Sequence, residues 1–349
     1  MDFLAEYGMF LAKAVTMVTS VLVVAFGIAI LAFRQRKSGR PEIELTILND
    51  EFDRMEFALS SVQLGPAGQK MRLMANRKKE SRKAKEEKQS LKRGGQPDLP
   101  RRLFVLDFDG DIRASANDHM RQEISAILTS ATAEDEILLR LESGGGMVHS
   151  YGLAASQLQR VRDKGIPLTI SVDKIAASGG YMMACVANQI IAAPFAIVGS
   201  IGVLAQIPNL HRLLKKNDVD FEVLTAGEYK RTLTVFGENT EKGRQKMKAE
   251  LEETHGHFKD FIRAQRPKLD VDAVATGEHW LGTKALELGL VDKLQTSDDY
   301  LMESRKDRDI IRVRYRHKKK PGERLARLFS SFRSVQEKNT RDLDKPLLM

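Results

Sequence analysis

The feature that most constrains the fold is a regular alternation of short apolar runs with longer amphipathic segments, beginning at Leu103. The apolar runs predict buried strands at Leu103 to Phe108, Glu136 to Leu141, Pro167 to Val172 and Gln189 to Ala193. The segments between them have helical character, at Asn117 to Ser130, Met147 to Asp163 and Ser178 to Ala187. Continuously apolar strands separated by helices are typical of a mostly parallel sheet covered on both faces. The sequence therefore predicts an α/β domain over residues 101–315.

The second half of this region contains further elements. Val219 to Leu224 predicts another strand, Thr240 to Gln265 a long charged helix, and Gly282 to Leu288 a shorter helix. Residues 175–210 carry no charge, but glycines and prolines divide them into pieces too short to cross a membrane. We expect this stretch to form buried core and site loops.

A separate apolar segment lies near the N-terminus. Residues 14–33 form a run of uncharged, mostly apolar residues that is long enough to span about 30 Å of hydrocarbon as a helix. Acidic residues precede the run and basic residues follow it, which is the reverse of a cleaved signal peptide. The sequence predicts an uncleaved membrane anchor over residues 1–40, with a helix at about 9–33. The positive-inside rule places the C-terminal side in the cytoplasm.

Two charged regions flank the predicted domain. Residues 41–100 are predicted to be a charged linker, with some helical periodicity at its start and a Lys/Arg/Glu-rich run in its second half. Residues 316–349 are predicted to be a basic amphipathic tail. That tail has the pattern of a helix at a membrane surface or of a helix packed on a partner subunit.

Charge and composition narrow the function classes. The net charge is +9, but the excess lies beside the apolar N-terminal segment and in the tail. No nucleic-acid-binding module is present, so a membrane surface explains the charge better than nucleic acid does. The histidines are not arranged at the spacings of a metal site, and the single cysteine, Cys185, lies in an apolar segment. We therefore expect neither a metal nor a cofactor.

A glycine-rich turn follows the second predicted strand, at Ser143-Gly144-Gly145-Gly146. Glycines at such a strand-to-helix turn permit positive φ and let backbone N–H groups face a ligand oxygen. In acyl transfer, these groups would form an oxyanion hole. The turn lacks the Lys-Ser/Thr ending of a phosphate-binding loop, which argues against nucleotide binding.

A serine and a lysine in small-residue surroundings suggest nucleophilic chemistry. Ser178 lies between two alanines and two glycines, which leave its hydroxyl accessible, and Lys230 follows Gly227-Glu228-Tyr229. A neutral lysine can take the serine proton, and desolvation or a neighbouring cation such as Arg231 favours the neutral form. Ser200, in a second glycine-flanked turn, is a candidate second hydroxyl that orients the lysine.

Each residue also has a simpler explanation. Ser178 has the position of an ordinary helix N-cap, Ser200 that of a turn serine, and Lys230 that of a surface lysine. His149 leaves open a Ser–His–Asp arrangement with Ser178. The acidic run from Asp107 to Asp111 hints at a calcium loop but lacks the spaced ligands, and we read it as a polar turn.

Taken in order and spacing, these motifs resemble the signal peptide peptidase A (SppA) family of serine proteases. The resemblance covers roughly residues 101–300 and rests on the segments Ser178-Gly179-Gly180-Tyr181, Gly199-Ser200-Ile201-Gly202-Val203 and Gly227-Glu228-Tyr229-Lys230. The anchor, the charged linker and the segment at 277–280 look like an inner-membrane branch of that family in Gram-negative bacteria.

The resemblance implies a ClpP/crotonase-like fold in which Ser178 is the nucleophile and Lys230 the general base. It also implies an oxyanion hole from Gly179 with Gly145 or Gly146, and a bond from Ser200 to the lysine. Relatives form rings, and in those with a single catalytic unit the serine and lysine can come from adjacent subunits. The implied partners are polypeptide substrates, membrane lipid and further copies of this chain, and no cofactor is implied.

Two features of the chain depart from the family. The glycine turn usually reads Ser-Pro-Gly-Gly, whereas position 144 is glycine here. Relatives act on the periplasmic side of the membrane, which conflicts with the charge pattern.

Two other function classes are alternatives to a peptidase: a crotonase-like acyl-CoA enzyme, and a non-catalytic scaffold that binds misfolded membrane proteins.

Overall fold

The computed structural model describes residues 2–37, 42–63 and 100–316, together with a few isolated positions between 65 and 81. The predicted tail at 316–349 and the second half of the predicted linker lie almost entirely outside the described residues. The chain divides into two compact units, residues 45–314 and residues 1–44 with 315–349. The first unit contains the candidate site.

In the part of the chain that the structure describes, ten strands form one sheet. In chain order they are β1 (Glu42–Ile47), β2 (Arg102–Gly110), β3 (Glu136–Ser143), β4 (Leu168–Val172), β5 (Ile175–Ala177), β6 (Gln189–Ala192), β7 (Ile197–Gly199), β8 (His279–Leu281), β9 (Lys293–Leu294) and β10 (Asp309–Arg316). The main path runs β1-β10-β2-β3-β4-β6-β9, while β5 and β7 extend from β3 as a short branch that ends on β8.

The pairs from β10 through β2, β3, β4 and β6 to β9 are all parallel. β5 is parallel to both β3 and β7, whereas β8 closes the branch antiparallel to β7. The four predicted strands correspond to β2, β3, β4 and β6, so the α/β fold class is confirmed. The apolar character of these strands is explained by their burial on both faces of the sheet.

Ten helices complete the described part of the chain. They are α1 (Asp2–Lys37), α2 (Leu48–Gln63), α3 (Asn117–Leu128), α4 (Val148–Asp163), α5 (Gly179–Ala184), α6 (His211–Lys216), α7 (Glu241–Gln265), α8 (Val271–Val274), α9 (Gly282–Glu287) and α10 (Ser297–Ser304). The helices predicted before and after the glycine turn, and the long charged helix, appear as α3, α4 and α7.

The linker prediction is wrong for residues 42–63. This stretch forms β1, at one end of the sheet, and α2, whose first residue Leu48 packs into the core beside Leu103 and Ile310. The Asn49 side chain donates to the Arg308 carbonyl and accepts from the Ile310 N–H, at 3.1 and 2.7 Å. Acidic residues of α2 form ion pairs with Arg305 and Arg312, near the end of the domain.

The predicted membrane anchor has a different outcome. Residues 2–37 are helical, as α1. Among the residues that the structure describes, no helix is found with both the length and the apolar character needed to cross a membrane. The structure therefore does not support the membrane-spanning part of the fold prediction.

The strand predicted at Val219 to Leu224 is also wrong. These residues belong to an exposed excursion between β7 and α7, residues 204–236, which we call the arm. Apart from α6, the arm has no helix or strand. The Asn209 side chain closes its base by donating to the Thr234 and Gly237 carbonyls, both at 3.0 Å. A β-prone sequence forms a strand when a neighbouring strand pairs with it, and the exposed arm has none within the described residues.

Candidate active site

Ser178 occupies a sharp turn between β5 and α5. Its backbone lies at φ 52° and ψ −119°, a conformation that is costly for a residue with a side chain. The Ser178 N–H donates to the Gly199 carbonyl at 2.8 Å, which ties the turn to the end of β7. Within the described part of the chain, the Ser178 hydroxyl caps no backbone N–H of α5. The ordinary N-cap explanation therefore does not apply, and the strain points to a functional role.

The predicted glycine turn lies directly against this serine. Gly145 has φ +89°, and a Cβ atom at this position would stand 2.7 Å from the Ser178 Cβ. A Cβ at Gly146 would stand 2.1 Å from the Ile112 carbonyl oxygen. Both positions require glycine because the backbone approaches its neighbours too closely for any side chain.

The predicted oxyanion donors are not equivalent. The Gly145 N–H donates to the Ser143 hydroxyl at 3.1 Å, so this donor is engaged within the protein. Gly179 is the first residue of α5, where backbone N–H groups have no partner inside the helix. Of these two donors, Gly179 is therefore better placed than Gly145 to donate to a substrate oxygen.

Ser200 lies on a third strained turn beside the same serine. Gly199 and Ser200 have φ of 109° and 51°, and the Ser200 N–H donates to the Glu278 carbonyl at 2.6 Å. On the other side, Nε2 of His255 in α7 lies 3.2 Å from the Ile201 carbonyl oxygen. These two contacts, together with the bond from the Ser178 N–H to the Gly199 carbonyl, hold this turn next to Ser178.

These turns enclose one cavity of about 820 Å³. None of the described residues that line it carries a charge. They are Ile112, Gly144, Gly145, Gly146, Met147, Val148, Ser178, Ser200, Gly202, Val203, Leu204, Gln206 and Gly277. The structure therefore brings together the predicted nucleophile, the glycine turn and Ser200. The space is large enough to hold several residues of an extended peptide.

Lys230 does not line this cavity. It lies on the exposed arm, beside a second cavity of about 610 Å³ formed by residues 221–226 with Lys230 and Arg231. Its neighbour Glu228 pairs with Lys242 at 2.5 Å, and the hydrogen bond from Lys242 lowers the pKa of the Glu228 carboxyl. Within one chain, the structure therefore leaves the predicted nucleophile and the predicted base in separate cavities.

The competing residues have other roles. His149 is exposed on the first turn of α4 and is not among the residues that line the Ser178 cavity. Cys185 is fully buried, and burial raises the pKa of its thiol, so it is not poised as a nucleophile.

Asp107 and Asp111, the two ends of the acidic run, are bonded to other side chains and backbone groups of the domain. Burial would raise the pKa of Asp107, but hydrogen bonds from Arg314 and Arg140 lower it overall. Asp111 instead accepts from the Ser115 backbone N–H and hydroxyl, at 2.8 and 2.9 Å. In the described ranges, no three His, Cys, Asp or Glu side chains are grouped in a way that could hold a metal ion.

Sequence reasoning missed two buried hydroxyls behind the glycine turn, those of Ser143 and Tyr151. Their oxygen atoms lie 2.5 Å apart. The sequence does show a tyrosine on the otherwise apolar face of α4, and a buried tyrosine hydroxyl needs a hydrogen-bond partner. Which residue is that partner depends on how α4 packs against β3, and the sequence does not show this.

The fold and site define a class of protein: an α/β hydrolytic enzyme with a strained serine beside a glycine turn. The family model for peptidase family S49 matches residues 160–310, and the model for the N-terminal region of this family matches residues 2–158. Probable protease SohB of Haemophilus influenzae is 52% identical over 320 residues, covering 91% of this chain and 90% of that protein. Probable protease SohB of Buchnera aphidicola subsp. Schlechtendalia chinensis is 48% identical, covering 86% of this chain and 99% of that protein.

The chain therefore belongs to peptidase family S49, and the resemblance to SppA-type peptidases is confirmed. It is an enzyme, a peptide hydrolase of the serine type. A solved structure, that of the 1510-N membrane-bound stomatin-specific protease, aligns with 59% of this chain and 80% of that chain at a TM-score of 0.38 and 16% identity.

Proposed function

We propose that this protein is a membrane-attached endopeptidase that uses a Ser178–Lys230 dyad. Lys230 Nζ removes the hydroxyl proton as Ser178 Oγ attacks the peptide carbonyl, and the N–H groups of Gly179 and Gly146 stabilise the oxyanion. The amine product leaves with that proton, and water then hydrolyses the acyl-enzyme. The observation that supports the serine's role is its strained backbone, in a cavity that both glycine turns also line.

We further propose that the dyad is shared between two copies of the chain. Ser178 and Lys230 line separate cavities in one copy, and Lys230 lies on an arm that extends into solvent. The arm exposes many large apolar side chains, among them Leu204, Leu213, Val219, Phe221, Val223 and Leu224. A segment that exposes this many large apolar side chains is typical of a protein–protein interface.

The proposed occupant of that surface is a second copy, whose Ser178 cavity the arm would cover. Contact with the partner would desolvate Lys230 and favour the neutral form that a general base requires. Ser200 of the receiving copy would then be placed to bond the incoming lysine. Because Lys230 and Ser178 line different cavities, the contact that joins them is heterologous and repeats from copy to copy, so a closed assembly of this kind is a ring.

The substrate class proposed is an apolar polypeptide segment, such as a signal-peptide-like or membrane-proximal sequence. The support is the cavity wall, where Ile112, Met147, Val148, Val203 and Leu204 supply apolar surface and no charged side chain of the described residues contributes. An extended peptide with small or apolar residues would bury these side chains without leaving a charge unpaired.

Attachment to a bacterial inner membrane through residues 14–33 is part of the same proposal. The support is the uncharged sequence and the side-chain bonding within α1. The hydroxyls of Thr16, Thr19 and Ser20 each donate to the carbonyl four residues earlier, at 2.6 to 2.8 Å. Polar groups satisfied inside their own helix need no water.

A ClpP/crotonase-like fold is likewise proposed, supported by the parallel sheet and by the short branch that presents Ser178.

The test is complementation between two inactive variants. Full-length Ser178→Ala and Lys230→Ala chains are purified in detergent and assayed separately, then co-expressed and assayed together, with labelled casein as substrate. We expect neither variant to cleave alone and the mixed assembly to recover about one quarter of wild-type activity, since one interface in four would join an intact serine to an intact lysine. Activity in Ser178→Ala alone would refute the nucleophile. An inactive mixture of well-assembled chains would refute the shared dyad.

A further inference from the structure

Two buried hydroxyls connect the glycine turn to the rest of the site. Ser143 is the last residue of β3 and Tyr151 lies in the second turn of α4, and their relative exposures are 2% and 0%. The tyrosine hydroxyl donates to the Asp111 carbonyl at 2.7 Å. A tyrosine has a single hydroxyl proton, so in the 2.5 Å contact between the two side chains Ser143 must be the donor.

The donor assignments define a continuous chain of hydrogen bonds. It runs from the Gly145 N–H to the Ser143 hydroxyl, from there to the Tyr151 hydroxyl, and from Tyr151 to the Asp111 carbonyl. Each hydroxyl both donates and accepts, so the buried network is fully satisfied and holds one geometry. The glycine turn is thereby fixed to the turn that follows β2.

The ring of Tyr151 supports the nucleophile turn as well. A Cβ atom at Gly179 would stand 2.4 Å from the Tyr151 Cγ, so the backbone next to Ser178 rests directly on the ring. Phe108 packs edge-on against the same ring, with centroids 6.5 Å apart. One side chain therefore touches both segments whose N–H groups would bind the oxyanion.

We propose that Tyr151 and Ser143 are positioning residues for the oxyanion hole. By holding the Gly145 N–H inward, their hydroxyls set the direction of the next peptide group, that of Gly146, while the Tyr151 ring sets the position of Gly179. Burial raises the pKa of Tyr151, although its bond with Ser143 acts in the opposite direction, so the hydroxyl keeps its proton at working pH. This inference rests on the proposed function of Ser178.

The physical expectation is a selective loss of transition-state binding. The oxyanion forms only after attack, so a loosened turn lowers kcat while leaving ground-state binding of the peptide nearly unchanged. Removing an oxyanion donor outright costs about 10² to 10³ in kcat, so displacing one should cost about 10- to 100-fold.

The test uses Tyr151→Phe, which keeps the ring and removes one oxygen, and Ser143→Ala. Full-length variants are assayed in detergent with an internally quenched apolar peptide, beside wild type and Ser178→Ala, and melting is measured in parallel. The matched control is Tyr300→Phe, which removes a hydroxyl bonded to Glu136 at 2.5 Å, at the opposite end of β3. We expect kcat to fall about 10- to 100-fold in both test variants, with KM changed less than threefold and kcat unchanged in the control.

The outcomes are distinguishable. If Ser178→Ala is inactive and either folded test variant has wild-type kcat, the positioning role alone is overturned. A parallel rise in KM, or an equal loss in Tyr300→Phe, would also overturn it, because either would indicate a general effect on the fold. If Ser178→Ala is fully active, the proposed function is overturned and this inference with it. Should Tyr151→Phe fail to fold, Ser143→Ala decides the question.

Discussion

Acid stability should depend on the carboxylate of Asp135, at the turn that leads into β3. This side chain is 3% exposed and receives a bidentate contact from Arg102, at 3.0 Å from Nε and 2.6 Å from the terminal nitrogen. It also accepts the backbone N–H of Thr132, at 2.8 Å. The perturbation is Asp135→Asn, which keeps the shape and removes the charge.

The pKa of this carboxyl gives the expected magnitude. Burial alone would raise it, but the hydrogen bonds from Arg102 and Thr132 outweigh burial and lower the pKa from 3.8 to about 2. A tenfold change in proton affinity is worth about 1.4 kcal/mol, so the ionised group stabilises the fold by about 2 kcal/mol at neutral pH.

The lowered pKa means that this stabilisation is lost in acid. The folded protein binds this proton less tightly than the unfolded chain, so the contribution is complete well above pH 4 and disappears as the pH falls towards 2. About half of it should be lost by pH 3. Asp135→Asn should therefore be clearly less stable than wild type at pH 7, and the difference should shrink on acidification.

The assay is urea unfolding of the full-length protein at pH 7, 4 and 3, followed by the fluorescence of Trp280, the single tryptophan. We expect the midpoint to fall by about 1 M at pH 7. The matched control is Glu134→Gln, which removes an exposed pair with Arg101 at 3.1 Å and should cost well under 1 kcal/mol. The reasoning is refuted if the difference for Asp135→Asn is the same at pH 7 and pH 3, or if it is no larger than that of the control.

Two further predictions concern the site and the arm. His255→Leu removes the contact that holds the Ile201 carbonyl, so peptidase activity should fall about tenfold. His255→Gln retains a hydrogen-bond donor and should keep most of the activity. Equal losses in both variants, or a loss in the control His257→Leu at an exposed position of the same helix, would contradict this prediction. Leu224 is 94% exposed, so Leu224→Ser should change the free energy of unfolding by no more than about 0.5 kcal/mol. The same variant should shift the assembly to smaller species in sedimentation velocity. An unchanged assembly would exclude this side chain from the interface.

Strands that are buried on both faces and long charged helices were the elements most readily predicted from the sequence. The strands over 102–110 and 136–143 were predictable because burial on both faces leaves a nearly continuous apolar run. The helix over 241–265 was predictable from its length and charge. Pattern reasoning failed for residues 42–63, whose acidic character is matched by arginines such as Arg305 and Arg312, more than two hundred positions later. It failed again at 219–224, where β-prone residues have no strand to pair with.

The residues of the candidate site were predictable from the sequence, but their arrangement was not. The glycines and serines of the three turns were identifiable because small residues mark places where the backbone takes positive φ or approaches a neighbour closely. Their convergence on one cavity was not, because β5 and β7 are three-residue strands whose pairing joins segments far apart in sequence.

The fold class, the peptidase family and the residue types suited to nucleophilic chemistry could all be inferred from the sequence, because they follow from local periodicity and from short motifs. The tertiary structure decided which of those residues meet. It placed Ser178, Ser200 and the glycine turn around one cavity and left Lys230 on an exposed arm. It also revealed the hydroxyl pair of Ser143 and Tyr151 behind that turn. The physical reason is that hydrogen bonding and burial depend on contacts between distant segments, which exist only once the sheet has formed.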